Sequence, residues 1–149
     1  MSGRLRVGAA RATVTPSRTG PLAGYIARGE AHAVSTLDDL EASVVVLDDG
    51  SAQLVWVALD AVAVTERLTR ELERIVTRIA GRAVPVVFAA SHTHSGPAHW
   101  LGEFAPGHVA ALDEAAVSEL LVRLELAVAV AWRDRVPAEA SWSEPTVRG

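Results

Sequence analysis

Apolar residues are distributed along this chain in patterns that mark several elements before any chemistry is considered. Leu40–Leu47 reads Leu-Glu-Ala-Ser-Val-Val-Val-Leu, and Gln53–Leu59 reads Gln-Leu-Val-Trp-Val-Ala-Leu. Both runs are β-branched and apolar, and only Asp48-Asp49-Gly50-Ser51 and one alanine separate them. A short turn rich in Asp and Gly between two such runs predicts a β-hairpin. Trp56 sits among alternating apolar neighbours and is expected in the core. From Glu66 to Ala80, Leu68, Leu72, Ile75, Val76 and Ile79 fall on one helical stripe with arginines opposite. Thr65 is placed to cap that helix at its start, and Gly81 to end it in a left-handed turn.

Val84–Ala90 (Val-Pro-Val-Val-Phe-Ala-Ala) is a continuous apolar run of strand length. Such runs usually lie in a sheet covered on both faces. Pro85 must stand near the start, because it has no N–H to give to a ladder. Strand, helix and strand in this order predict that Gln53–Leu59 and Val84–Ala90 are parallel neighbours joined by a right-handed crossover. A second long helix is expected from about His108 to Trp132, and a last short strand around Ala140–Ser143. Residues Arg11 to Arg28 are rich in Gly, Pro, Thr and Arg. They read as loop with a short strand at Ala12–Thr15, and long loops in compact domains are often functional or mobile. The fold class is therefore α/β: one domain with a mixed sheet, an antiparallel hairpin followed by a right-handed βαβ unit, and helices packed on the sheet.

Composition narrows the chemistry. With 149 residues, half of them hydrophobic, the chain can bury a real core as a single domain. It has no cysteine, which excludes disulfides, thiolate metal sites and cysteine nucleophiles, so any metal must be held by nitrogen and oxygen. The formal net charge is -4. Arg67, Arg70, Arg74, Arg78 and Arg82 are interleaved with Glu66, Glu71 and Glu73, the pattern of a solvated helix face rather than a nucleic-acid footprint. No nucleic-acid partner is expected. Val7-Gly8-Ala9-Ala10 is too short for a secretory signal, and Arg123 and Glu125 interrupt the run from Leu120 to Trp132, which excludes a transmembrane segment there. The expected location is cytoplasmic.

The chemistry-bearing stretch follows directly on the buried strand: Ser91-His92-Thr93-His94-Ser95-Gly96-Pro97-Ala98-His99. Loops at the carboxyl ends of parallel strands converge above a rigid platform and are where ligands bind. Two histidines at i and i+2 on an extended segment project to one side, where they could share a zinc ion, or one could bind metal while the other touches substrate. Gly96-Pro97 turns the chain away and leaves both rings at a cleft wall. His-x-His alone is a weak motif; its position after an apolar strand and before Ser-Gly-Pro is what raises it.

This segment resembles the Thr-His-Thr-His-Ser-Gly-Pro segment of the neutral/alkaline (non-lysosomal) ceramidase family. Other stretches fall in that family's order. Val7-Gly8-Ala9-Ala10 through Val14-Thr15-Pro16 is similar to its opening Val-Gly and Ile-Thr-Pro pattern, and Leu22-Ala23-Gly24-Tyr25 to its Met-x-Gly-Tyr. Leu37-Asp38-Asp39-Leu40-Glu41-Ala42 and Leu59-Asp60 resemble its segments around the first two long strands. The likeness covers about the first two-thirds of the chain. It implies a zinc-dependent amidase that cleaves the N-acyl bond of ceramide-like lipids, with zinc-activated water attacking the amide carbonyl. It implies His92 as a zinc ligand and His94 as a catalytic residue beside substrate and metal. Gly24 and Tyr25 would line the substrate cleft. The family's catalytic domain is much longer, and its later histidine, glutamate and tyrosine ligands have no counterpart here. The chain is therefore expected to be an incomplete amino-terminal portion of a larger hydrolase domain, with an unpaired sheet edge through which it self-associates.

Other residues admit two readings. Asp60 could accept a hydrogen bond from an imidazole N–H, as a catalytic-site residue, or cap the turn that follows its strand. His99 reads as a surface-loop histidine; the alternative is a third ligand, which with His92 and His94, or with His108 in its place, would make a different small metallohydrolase. His32 is expected to be exposed. Trp100 could cover a lipid-like substrate or simply pack. A third function class is a non-catalytic remnant that keeps the fold and little metal affinity.

Overall fold

The computed structural model describes residues 5–29, 31–102 and 110–143. Their elements are β1 (Arg6–Thr13), β2 (Glu41–Asp48), β3 (Gln53–Leu59), α1 (Glu66–Ala80), β4 (Val86–Ala90), α2 (Glu114–Arg133) and β5 (Val136–Pro137). The strands form one mixed sheet in the order β4-β3-β2-β1-β5. β3 and β4 are parallel, and every other pairing is antiparallel. Both helices pack on the same face, α2 across β1 and β2 and α1 between α2 and β4.

The hairpin and the first helix form where the apolar pattern predicts. β2 and β3 pair from Ala42–Leu59 to Asp48–Gln53, and Asp49 builds the turn by accepting the N–H groups of Ser51 and Ala52 at 2.8 and 2.7 Å. α1 spans Glu66–Ala80, with the Thr65 hydroxyl accepting Leu68 N–H at 3.3 Å and Gly81 closing it at φ 71°. Leu68, Leu72, Ile75 and Val76 are its buried stripe. They meet the inward set of the sheet: Ala42, Val44 and Val46 of β2 with Val55, Val57 and Leu59 of β3.

The first strand is longer than the residue pattern indicates. β1 covers Arg6–Thr13, not a short stretch at Ala12–Thr15, and pairs with β2 along its whole length. Its small residues carry little strand signal, and they are small because α2 lies directly on them. A Cβ on Gly8 would overlap the Ala131 carbonyl, and Ala10 and Ala12 pack against the same core.

Four other expectations are corrected. The last strand is Val136–Pro137, which returns on β1 immediately after α2, and Ala140–Ser143 is not strand. α2 begins at Glu114 because Asp113 caps it, accepting the N–H groups of Ala115 and Ala116 at 2.9 and 3.2 Å. His108 lies outside the described residues. β4 is an edge strand, covered by helix on one face only, with Val87 40% exposed. Trp56 is not core: its side chain points to the sheet's open face and is 49% exposed. On that face Ala9, Val45, Trp56 and Val87 form one cross-strand row, with Leu47 paired to Leu54 beside it. A solvated face of an antiparallel sheet is ordinarily polar; this one is largely apolar.

No helix among the described residues is long and apolar enough to cross a membrane.

Candidate functional site

β3 and β4 end side by side, with Leu59 paired to Ala90. The chain leaving β4 is held at once, since Ser91 N–H donates to the Leu59 carbonyl at 2.9 Å. The extended geometry expected for the two histidines stops here. His92 takes φ 62°, the left-handed region, and a turn follows over His94 and Ser95. Histidine tolerates this conformation better than most residues. A non-glycine residue there nevertheless costs energy and persists where its surroundings fix it.

The feature fixing it is a backbone carbonyl. His92 Nδ1 lies 2.7 Å from the Val62 oxygen, in the turn after β3. A carbonyl only accepts, so Nδ1 carries a proton, and in the neutral ring the lone pair then lies on Nε2. That Nε2 faces His94 Nε2 at 3.4 Å, with the rings 4.9 Å apart and inclined at 73°. The two imidazoles converge, but through the left-handed turn rather than through strand alternation.

A strap from the long amino-terminal loop closes over them. Pro21 bridges to His32 and Leu22 to Pro97; Ala23 N–H donates to the Gly96 carbonyl at 2.9 Å and Ala98 N–H to the Pro21 carbonyl at 2.8 Å. This brings Gly24 and Tyr25 onto His94. Gly24, at φ 103°, lies so close that a Cβ would overlap the imidazole. The Tyr25 ring stands edge-on to His94 at 4.8 Å. Four of the residues singled out in the sequence (His92, His94, Gly24 and Tyr25) are therefore in one place.

Asp60 is elsewhere. Its Oδ2 accepts Glu41 N–H at 3.0 Å and extends the β2–β3 ladder, while Val62 holds the position beside His92 that a carboxylate was expected to fill. Asp60 instead lines a cavity of about 500 Å³ together with Thr93, Ser95, Leu22, Leu37 and His99. Ser95 N–H is tied to the Thr93 hydroxyl at 3.2 Å, a local turn contact.

His99 is not the surface residue its loop position indicates. It is 7% exposed, in a 3-10 turn over Ala98–Trp100, and a Cβ on Gly20 would overlap its ring. Its Nε2 is buried with no hydrogen-bond partner among the described residues. Burial lowers its pKa below the ordinary histidine value; Asp113 pulls the other way, and His32 and Arg18 add to the lowering. The folded chain therefore resists taking a proton that the unfolded chain accepts near pH 6.5. Stability from this group is present above that pH and is lost as pH falls below it. We expect wild-type stability to drop between pH 7 and pH 5 more steeply than that of His99→Leu, by up to one proton in slope. Urea melts across that range give the slopes, and parallel curves would reject the assignment. Trp100, 1% exposed, packs in the core.

Among the described residues no three His, Asp or Glu side chains converge in a way that could hold a metal ion. His92 and His94 supply two nitrogens. Two nitrogens each bound at about 2.0–2.1 Å to a tetrahedral zinc stand about 3.4 Å apart, so the pair matches one edge of such a site. A catalytic zinc needs three protein ligands and an open position, and the pair alone does not complete such a set.

No family model and no curated protein matches this sequence. Solved structures do match. Neutral ceramidase from Pseudomonas aeruginosa superposes with a TM-score of 0.74 at 19% identity, over 92% of this chain and 23% of that one. A ceramidase complexed with C2 superposes with a TM-score of 0.72 at 20% identity, over 90% of this chain and 22% of that one. The chain thus has the fold of part of a neutral ceramidase, the family its histidine segment resembles, and spans under a quarter of either neighbour's length.

Proposed function

We propose that this chain contributes the His92–His94 part of a ceramidase-like zinc amidohydrolase site, and that further polypeptide supplies the remaining ligands. The single observation carrying this reading is the pair of Nε2 atoms at 3.4 Å, one of them with its lone pair freed by the Val62 carbonyl. Zinc bound there would supply a Lewis acid that polarises an amide carbonyl and acidifies water at neutral pH. The residues of this chain do the rest of what is local. His92 Nε2 holds the ion, His94 stands beside it toward the substrate, and Gly24 leaves the space a larger residue would fill. Tyr25 and Ile26, 57% and 61% exposed, give the opening an apolar lip suited to an N-acyl, lipid-like substrate.

The test is release of amine from N-acyl sphingoid bases and from simple N-acyl amines, with and without zinc. The coding sequence beyond Gly149 is read in parallel for the missing histidine, glutamate and tyrosine. Zinc-dependent release by a form that carries those ligands supports the reading. Release that survives both chelation and His92→Ala would end it.

The absence of a third ligand among the described residues favours one second reading, a remnant that keeps the fold without catalysis. Such a chain would purify without stoichiometric zinc. His99 forms no group of three metal ligands with the pair among the described residues, and His108 lies outside them.

Under the main reading, β4 has an edge unpaired among the described residues, beside an apolar sheet face, and the chain by itself should self-associate. Sedimentation velocity should show mass rising with concentration, and Trp56→Arg should shift it back toward monomer. A wild-type monomer at all concentrations would contradict this.

A further inference from the structure

We propose that Arg28 is the positioning residue of this site: its guanidinium ties the Tyr25 wall to the backbone of His94 and so sets how the two imidazoles face each other. This rests on taking His92 and His94 as the reactive pair, but its geometry stands apart from any metal. Arg28 Nη1 donates to the His94 carbonyl at 3.0 Å and to the Ala23 carbonyl at 3.4 Å. Its guanidinium carbon lies 5.0 Å from the centre of the Tyr25 ring. Tyr25 in turn stands against His94, and His94 against His92. The order Arg28, Tyr25, His94, His92 is thus one continuous set of contacts.

Among the described residues the turn over Ile26–Arg28 has little else to hold it there. None of its residues is buried, and Tyr25 before it is mostly exposed. The strap's backbone ties to the histidine turn stop at Ala23, which bonds to Gly96. From Gly24 to Gly29, the hydrogen bonds that reach the histidine turn among the described residues are those of Arg28. A planar guanidinium suits this task, because it can donate in its plane to carbonyls while its face lies on an aromatic ring, which an ammonium does less well. Charge-assisted donation also makes the tie stronger than a neutral one.

The experiment is NMR of the metal-free full chain, reading the ring protons of His94. Tyr25 at this distance imposes a ring-current shift on them, and Tyr25→Leu gives the reference without it. Arg28→Ala should lose the shift although Tyr25 remains, with the thermal melt unchanged because the turn lies outside the core. Arg28→Lys should recover only part of it. Zinc titration of the same proteins should show affinity falling about 10- to 100-fold in Arg28→Ala, as when an outer partner of a ligand is removed. A full ring-current shift in Arg28→Ala would overturn the proposal. If wild type binds no zinc while Arg28→Ala still loses the shift, the positioning role stands and the metal reading falls. Should Arg28→Ala fail to fold, Arg28→Gln carries the same comparison.

Discussion

His92→Ala is expected to abolish zinc binding by this chain, lowering affinity by more than the 10- to 100-fold that loss of an outer partner alone costs. The reason is that His92 is the better defined of the two nitrogen donors. Its Nδ1–H donates to the Val62 carbonyl at 2.7 Å, which fixes the ring's orientation and, in the neutral ring, puts the lone pair on Nε2. His94 has no comparable carbonyl on its ring among the described residues and is held by packing against Tyr25 and Gly24. Loss of His92 therefore removes both a donor and the reference against which His94 is set. Alanine also fits poorly at φ 62°, so stability should fall by about 1 kcal/mol as well. His92→Asn separates the two effects, since asparagine accepts the left-handed conformation. It should restore stability and leave binding abolished. Equilibrium dialysis with zinc, beside urea melts, reads both. Tight zinc binding by either variant would show that the ion sits elsewhere.

Gly8→Ala is expected to cost about 3 kcal/mol, the upper end for forcing one methyl group into a filled site. The added Cβ would overlap the Ala131 carbonyl, with Arg135 also close by. A carbonyl in the last turns of α2 cannot swing aside as a side chain can. The helix must tilt away from β1 or the strand must bow, and either change opens the layer where Leu124, Val128 and Ala131 meet Val44 and Val46. Ala9→Val is the control. Ala9 is the next residue but points to the open face beside Val45, so its substitution should change stability by less than about 0.5 kcal/mol. Denaturant unfolding of the two variants measures the contrast, and equal losses would mean that α2 does not pack on β1 as described.

Periodicity made part of this fold legible. β2, β3 and α1 were readable because each repeats its apolar residues at the spacing of its own backbone, over enough residues for the pattern to stand out. β1 was not, because close helix packing selects Gly8, Ala10 and Ala12, and small residues resemble loop. Trp56 misled for a related reason: alternation tells that a residue belongs to a strand, but not which face is covered. β4 carried the apolar run of an interior strand and lies at an edge. Nothing in the run Val84–Ala90 itself distinguishes the two places.

The site divided in the same way. His92 and His94 were recognisable from their position after an apolar strand, and Gly24 and Tyr25 from the family resemblance. The carbonyl that fixes His92 could not be read, since a backbone oxygen has no letter of its own. Val62 offered only its place two residues beyond Asp60. Arg28 had one available signal, its position three residues after Tyr25 in a turn without apolar anchors. His99 was misplaced because loop histidines are usually exposed, whereas the strap crossing at Gly20 buries this one.

X-ray absorption at the zinc edge of the metal-loaded chain bears most directly on whether His92 holds the ion with His94 beside it. The account predicts an imidazole at about 2.0–2.1 Å that persists in His94→Ala and is lost in His92→Ala. The same imidazole scattering in His92→Ala as in wild type would contradict it.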